Sequence, residues 1–143
     1  MQSDGSLNAI MPVQIPVMRM AQQTFNKELG AKGEKLALEL LKEKGLAILD
    51  TNWRYDRKEL DIIARDGDLL VVVEVKARTW ECYEEPADAM TDGKIRNILE
   101  ATEAYMFEKN IDCGVRFDLV SVTFFEDRYE VEHIADAFGP FAE

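Results

Sequence analysis

The sequence predicts an α/β fold, a mixed β-sheet flanked by helices in the order αβββαββ. Leu29, Leu36, Ala37, Leu40 and Leu41 recur at helical spacing ahead of Gly45, a stripe broad enough to cover a core. The segment from Glu59 to Lys76 then alternates with the period of a strand on both sides of Asp66-Gly67, a turn dipeptide of hairpins. A second helical stripe of Ile95, Ile98, Leu99, Thr102, Tyr105 and Met106 precedes renewed alternation from Val115 to Phe125.

At 143 residues and 47% hydrophobic content, the chain fits one domain with an ordinary core. Residues 1–24 carry Pro12 and Pro16 among scattered apolar side chains and read as a disordered N-terminal extension. Residues 25–139 form the domain and 140–143 a tail. The first helix runs from Asn26, its N-cap, to Lys44, and Gly45 ends it. Leu46 to Arg54 is the first strand, and the hairpin supplies the next two. Thr79 to Asp88, polar and interrupted by Pro86, is a loop. The second helix starts at Thr91 or Asp92, whose oxygens suit a cap, and reaches Asn110. Val115 to Phe125 is the fourth strand, Glu126-Asp127-Arg128 a turn, and Tyr129 to Ile134 an edge strand.

Composition narrows the functional classes. The longest apolar run, Leu69 to Val73, is far too short to span a membrane. Cys82 and Cys113 stand apart without a CxxC partner, so they read as reduced thiols of a cytoplasmic protein. His133 is the single histidine and lies among Glu130, Glu132 and Asp136, which favours a structural role over nucleophilic catalysis. No GxxxxGK[ST] loop is present, which removes support for nucleotide hydrolysis. The net charge of −11 opposes simple DNA binding. Its distribution is uneven: residues 1–78 hold 12 basic and 12 acidic side chains, residues 79–143 hold 5 and 16.

The hairpin carries the chemistry. Strand alternation puts Glu59 and Asp61 on one side of its first strand, Glu74 and Lys76 on one side of its second. Charges closing a Leu-Val-Val-Val run lose hydration if that face is buried, unless a partner or a metal replaces it. Two carboxylates beside a lysine suit a hard divalent cation and phosphodiester hydrolysis. A hairpin with one solvated face alternates in the same way, so spacing alone leaves both readings open.

Seven blocks in order carry a resemblance: Gly30-Ala31-Lys32-Gly33-Glu34, Asn52-Trp53-Arg54, Glu59 to Gly67, Val73 to Arg78, Pro86-Ala87-Asp88-Ala89, Arg116-Phe117-Asp118 and Glu132-His133-Ile134. From about Phe25 to Phe138 the chain resembles the YraN-like family of bacterial proteins. That family looks like a branch of the PD-(D/E)XK nuclease superfamily, close to Holliday junction resolvases. The resemblance implies a restriction-endonuclease-like sheet and a catalytic set of Glu34, Asp61, Glu74 and Lys76. Asp61, Glu74 and the Val75 carbonyl would bind Mg²⁺ or Mn²⁺, Lys76 would serve the attacking water, and Glu34 would reach in from the first helix. Without metal, at least one of these carboxyls should have a raised pKa.

Arg54, Arg57, Lys58, Arg78 and Lys94 are candidates to meet phosphates of branched or structured DNA, though solvated surface charge explains them equally well. Resolvase relatives act as dimers, so a homodimer is open, with no segment identifying its face. A nuclease-fold adaptor, binding a basic protein partner through the acidic second half, is the alternative. The quartet favours the enzyme, since an adaptor needs none of it.

Overall fold

A long helix, α1 (Ser3–Glu43), precedes a meander of β1 (Ala47–Tyr55), β2 (Lys58–Asp66) and β3 (Leu69–Thr79). A 3₁₀ turn at Trp80–Cys82, helix α2 (Asp92–Lys109), β4 (Val115–Phe124) and β5 (Tyr129–Phe138) complete the chain. This computed structural model describes residues 3–82 and 90–140, with residues 3–18 as backbone. Pro86, Glu84 and Glu85 of the expected loop, and residues 141–143 of the expected tail, lie outside the described residues.

The five strands form one sheet in the order β1-β2-β3-β4-β5. Every neighbouring pair is antiparallel except β3 and β4, which run parallel from Leu70↔Val115 to Thr79↔Phe124. A parallel pair needs a long crossover, and α2 supplies it. The αβββαββ order and the mixed sheet are therefore as the hydrophobic periods predict.

Alternation along β3 divides the interior into two layers. Val71 and Val73 face Ala37 and Leu41 of α1, together with Ile62, Ala64, Val120 and Val122. Leu70 and Val72 face Ile98, Ala101 and Tyr105 of α2, with Leu60, Ile63, Phe117 and Phe138. A strand covered on both faces reads as a continuous apolar run, which is why Leu69 to Val73 carries no polar residue.

Two boundaries differ from expectation. Helix α1 starts at Ser3 instead of Asn26. Met18 to Gln23 are nearly all good helix formers, and the Asn26 carboxamide accepts from Gln22 Nε2 at 3.0 Å instead of capping. The backbone ahead of Asn26 is thus helical from Ser3 onward. Strand β5 also continues four residues past Ile134. A register shift between Phe117 and Leu119 lets it re-pair at Phe117↔Phe138, with Asp136 absorbing the irregularity at φ 54°.

Gly33 sets the distance between α1 and the sheet. A Cβ built there would stand 2.6 Å from Ala77 Cβ, closer than two carbons approach, so only glycine lets the helix lie this low on β3. The next residue on the helix is Glu34.

Candidate active site in the fork between two strands

β2 and β3 pair from Asp66↔Leu69 to Ile62↔Val73 and then part. Beyond that point β2 stays with β1 as far as Tyr55↔Lys58, and β3 stays with β4 as far as Thr79↔Phe124. Each strand keeps its outer neighbour, and a fork opens between them. A parted ladder leaves backbone groups facing the gap, and each needs a partner. Asp61 provides one, its Oδ2 accepting from the Val75 N–H at 2.9 Å. The N–H and C=O of one strand residue point toward the same neighbour, so the Val75 carbonyl also faces the fork.

Continuing the register by one step sets Asp61 against Glu74. Glu74 is only 8% exposed. The Asp61 carboxyl is pushed up to about 8, first by burial, then by the charge of Glu74, with Glu34 adding to it. The Val75 N–H acts the other way, and a hydrogen bond shared with Glu74 also raises the value. The expected raised carboxyl pKa is therefore present, and it belongs to Asp61.

Glu34 comes to the fork from the α1 side. Its Oε2 accepts from Asn52 Nδ2 at 3.0 Å. Asn52 lies between the pairs Thr51↔Ile62 and Trp53↔Leu60, opposite Asp61, in the left-handed region at φ 50°. Asparagine tolerates that region better than most residues. In the sequence Asn52 stands out only within the Asn52-Trp53-Arg54 block. The signal for its role is an asparagine within a strand, where it is otherwise disfavoured.

From the opposite layer, Lys94 Nζ stands 2.8 Å from Glu74 Oε2. The residue expected to meet phosphate thus pairs with a site carboxylate. Lys76 follows Glu74 on β3 at the spacing that shares a face, half-buried. It lines a shallow cavity of about 450 Å³ with Gln22, Phe25, Asn26 and Leu29 of α1. Glu34, Asp61 and Glu74 are therefore electrostatically joined, while Lys76 borders the same stretch of β3 toward the helix.

The other expected phosphate contacts are dispersed. Arg54 is 68% exposed at its side chain and 3.8 Å from Glu59 Oε2. Lys58 lies 3.9 Å from Glu100 Oε2, and Arg57 is exposed at the β1–β2 turn. Arg78 is 5% exposed, with Nη2 donating to Ser121 Oγ at 3.2 Å, so its guanidinium is turned into the fold.

A second polar cluster is structural. Asp118 is 0% exposed. Its Oδ1 accepts from Arg116 Nε and the Asp136 N–H, both at 2.9 Å, and its Oδ2 from Arg116 Nη2 at 2.9 Å and His133 Nε2 at 2.8 Å. Burial opposes its charge, but these donors outweigh it and hold the carboxyl below its usual range. Lys44 Nζ lies 2.8 Å from His133 Nδ1. An ammonium can only donate, so Nδ1 is the accepting ring nitrogen and Nε2 the one that donates to Asp118.

Comparison with known proteins gives one family. Residues 33–122 match the uncharacterised protein family UPF0102. A UPF0102 protein of Flavobacterium psychrophilum is 37% identical over 116 residues, covering 81% of this chain and 98% of that protein. One from Parabacteroides distasonis is 43% identical over 119 residues, covering 83% and 96%. One from Geobacter metallireducens is 42% identical over 114 residues, covering 79% and 93%. Glu34, Asp61, Glu74 and Lys76 all fall inside the matched segment.

Proposed function

The chain belongs to the uncharacterised protein family UPF0102, and from there we propose that it is a metal-dependent endonuclease hydrolysing phosphodiester bonds in branched or structured DNA. The observation that carries the proposal is the pairing of part-buried Asp61 with buried Glu74 at the mouth of a parted ladder. Burying two facing acids is costly, and the elevated pKa of Asp61 records that cost. A fold gains nothing from it, whereas a cation site does.

The donors fit a hard cation. Two carboxylates and the Val75 carbonyl are all oxygen. Among the described residues no three His, Cys, Asp or Glu side chains gather into a fuller cage. Mg²⁺ fits a pair of carboxylates, because it keeps several waters and binds through one or two of them. A bound Mg²⁺ or Mn²⁺ supplies charge neutralisation at the phosphate and a more acidic water. Asp61 and Glu74 would hold the cation, Asp61 as the deprotonated carboxylate that metal ligation requires. Glu34, kept in place by Asn52, orients a water on the α1 side. Lys76 orients the attacking water and offsets negative charge on the phosphoryl oxygens in the transition state.

The test incubates purified protein with linear, flapped and four-way-junction DNA in Mg²⁺ or Mn²⁺. Asp61→Ala and Glu74→Ala should abolish cleavage. Lys76→Ala should still bind metal yet lose ~2.7–4 kcal/mol of transition-state stabilisation, about 10²–10³ in rate. Equal residual cleavage by the unaltered chain and Asp61→Ala would assign the activity to a contaminant and sink the proposal.

A further inference from the structure

One cation already stands at this site, and it comes from the protein. Lys94 Nζ contacts Glu74 Oε2 at 2.8 Å, although Glu74 belongs to β3 and Lys94 to the first turn of α2. Their surroundings differ. Glu74 is almost wholly buried, whereas the Lys94 side chain keeps 38% of its surface. One partner is fixed and the other has a route to solvent.

The placement of Lys94 is unusual for a helix. The unsatisfied amides of a first turn create positive potential there, which disfavours a cation. Asp92 in the same turn offsets some of this, and the ion pair with Glu74 supplies the remaining reason for a lysine. Thr91 Oγ1 accepts from the Lys94 N–H at 3.2 Å and pins the backbone. The ammonium can therefore change partners by side-chain rotation alone, without melting the helix.

We propose that Lys94 is a displaceable stand-in for the metal: it holds Glu74 until nucleic acid arrives, then moves to a backbone phosphate and yields Glu74 to Mg²⁺ or Mn²⁺. This rests on the nuclease proposal and adds a coupling to it. Metal entering alone must expel Lys94 from Glu74. With DNA present, a phosphate receives the displaced ammonium. Each ligand therefore favours the other, and by linkage the effect is reciprocal. The cation site fills when substrate is in place.

The test is Mn²⁺ binding, followed by the electron paramagnetic resonance signal of the free ion, with and without a synthetic four-way junction. Lys76→Ala serves as background in the DNA arm so that the junction survives. Coupling of this kind is ordinarily about 5–150-fold. In the unaltered Lys94 protein the junction should tighten Mn²⁺ binding within that range. Lys94→Met should bind Mn²⁺ more tightly without DNA, by roughly fivefold or more, and show little further gain on adding the junction. Lys94→Arg, which keeps the charge, should retain the coupling, and circular dichroism checks that each variant is folded.

Unchanged or weaker Mn²⁺ binding by Lys94→Met overturns the inference, and so does undiminished coupling. If no variant takes up Mn²⁺, the inference falls together with the metal site. If the coupling behaves as stated while the unaltered chain cleaves no DNA, the nuclease proposal fails alone and the displacement stands.

Discussion

Asp61 and Asp118 are aspartates embedded in one sheet, and their environments drive them apart. Asp61 faces another acid and is pushed up to about 8, chiefly by burial. Asp118 is more deeply enclosed, yet four donated hydrogen bonds hold it below its usual range. Between 3.8 and about 8, folded Asp61 keeps a proton that the unfolded chain has released. Stability of the metal-free protein should therefore fall as pH rises through that window, by up to ~1.4 kcal/mol per pH unit from this group. Denaturant melts in the presence of a chelator measure the slope, and Asp61→Asn should flatten it. A slope unchanged in Asp61→Asn would refute the assignment. Asp118 acts in the opposite sense: it stabilises above its unfolded pKa, and that contribution is lost as acid takes pH down through the lower folded value. Asp118→Ala removes the acceptor that gathers Arg116, His133 and the Asp136 amide. It should cost ~3–5 kcal/mol, as breaking a buried pair does, visible as a lowered melting midpoint at neutral pH.

Among the elements, α1 and β3 touch at Gly33 and Ala77, and that contact governs how Glu34 reaches the fork. Gly33→Ala should raise helix propensity by ~1 kcal/mol and still destabilise the protein by a net ~1–3 kcal/mol through overpacking. Ala77→Gly in the same chain should restore much of the loss, whereas two independent losses would show that the contact is not the cause. The sequence made the strands legible because their signals are local: period-two alternation, and Asp66-Gly67 at a turn where Gly67 takes φ 62°. It made Asp61 and Glu74 legible because both lie on one hairpin. Asn52 was not legible as a partner of Glu34, since its left-handed backbone depends on the distorted pairing of β1 with β2. The pairing of Lys94 with Glu74 was hidden for a related reason. It crosses two layers, and its geometry depends on the crossover that returns α2 to the sheet.

For the whole molecule, the question is how a chain of net charge −11 would meet a polyanion. Arg54 and Lys58 sit close to acids, and Arg78 is turned inward. Of the expected phosphate contacts, Arg57 and Lys94 are left to release condensed counterions, and each phosphate neutralised contributes about −0.9 to the slope of log affinity against log salt. Junction binding should show a shallow slope, about −1 to −3, measured by fluorescence anisotropy across a sodium chloride series. A slope several-fold steeper would require a basic surface other than these residues. Lys94→Met should bring the slope closer to zero by about one phosphate.

The parting of β2 from β3 has a kinetic consequence as well. Inside a sheet an amide proton is shielded by a neighbouring backbone, but the Val75 N–H is held by a side chain, Asp61 Oδ2. Its exchange with deuterium should therefore report on Asp61 and not on unfolding of the sheet. In Asp61→Ala, Val75 should lose protection while the neighbouring Val73 amide, within the paired ladder, keeps it. Metal uptake, which reorganises the same carboxylate, should change the Val75 exchange rate in the intact protein. The fork thus contains its own isotopic reporter, readable residue by residue before any substrate is known.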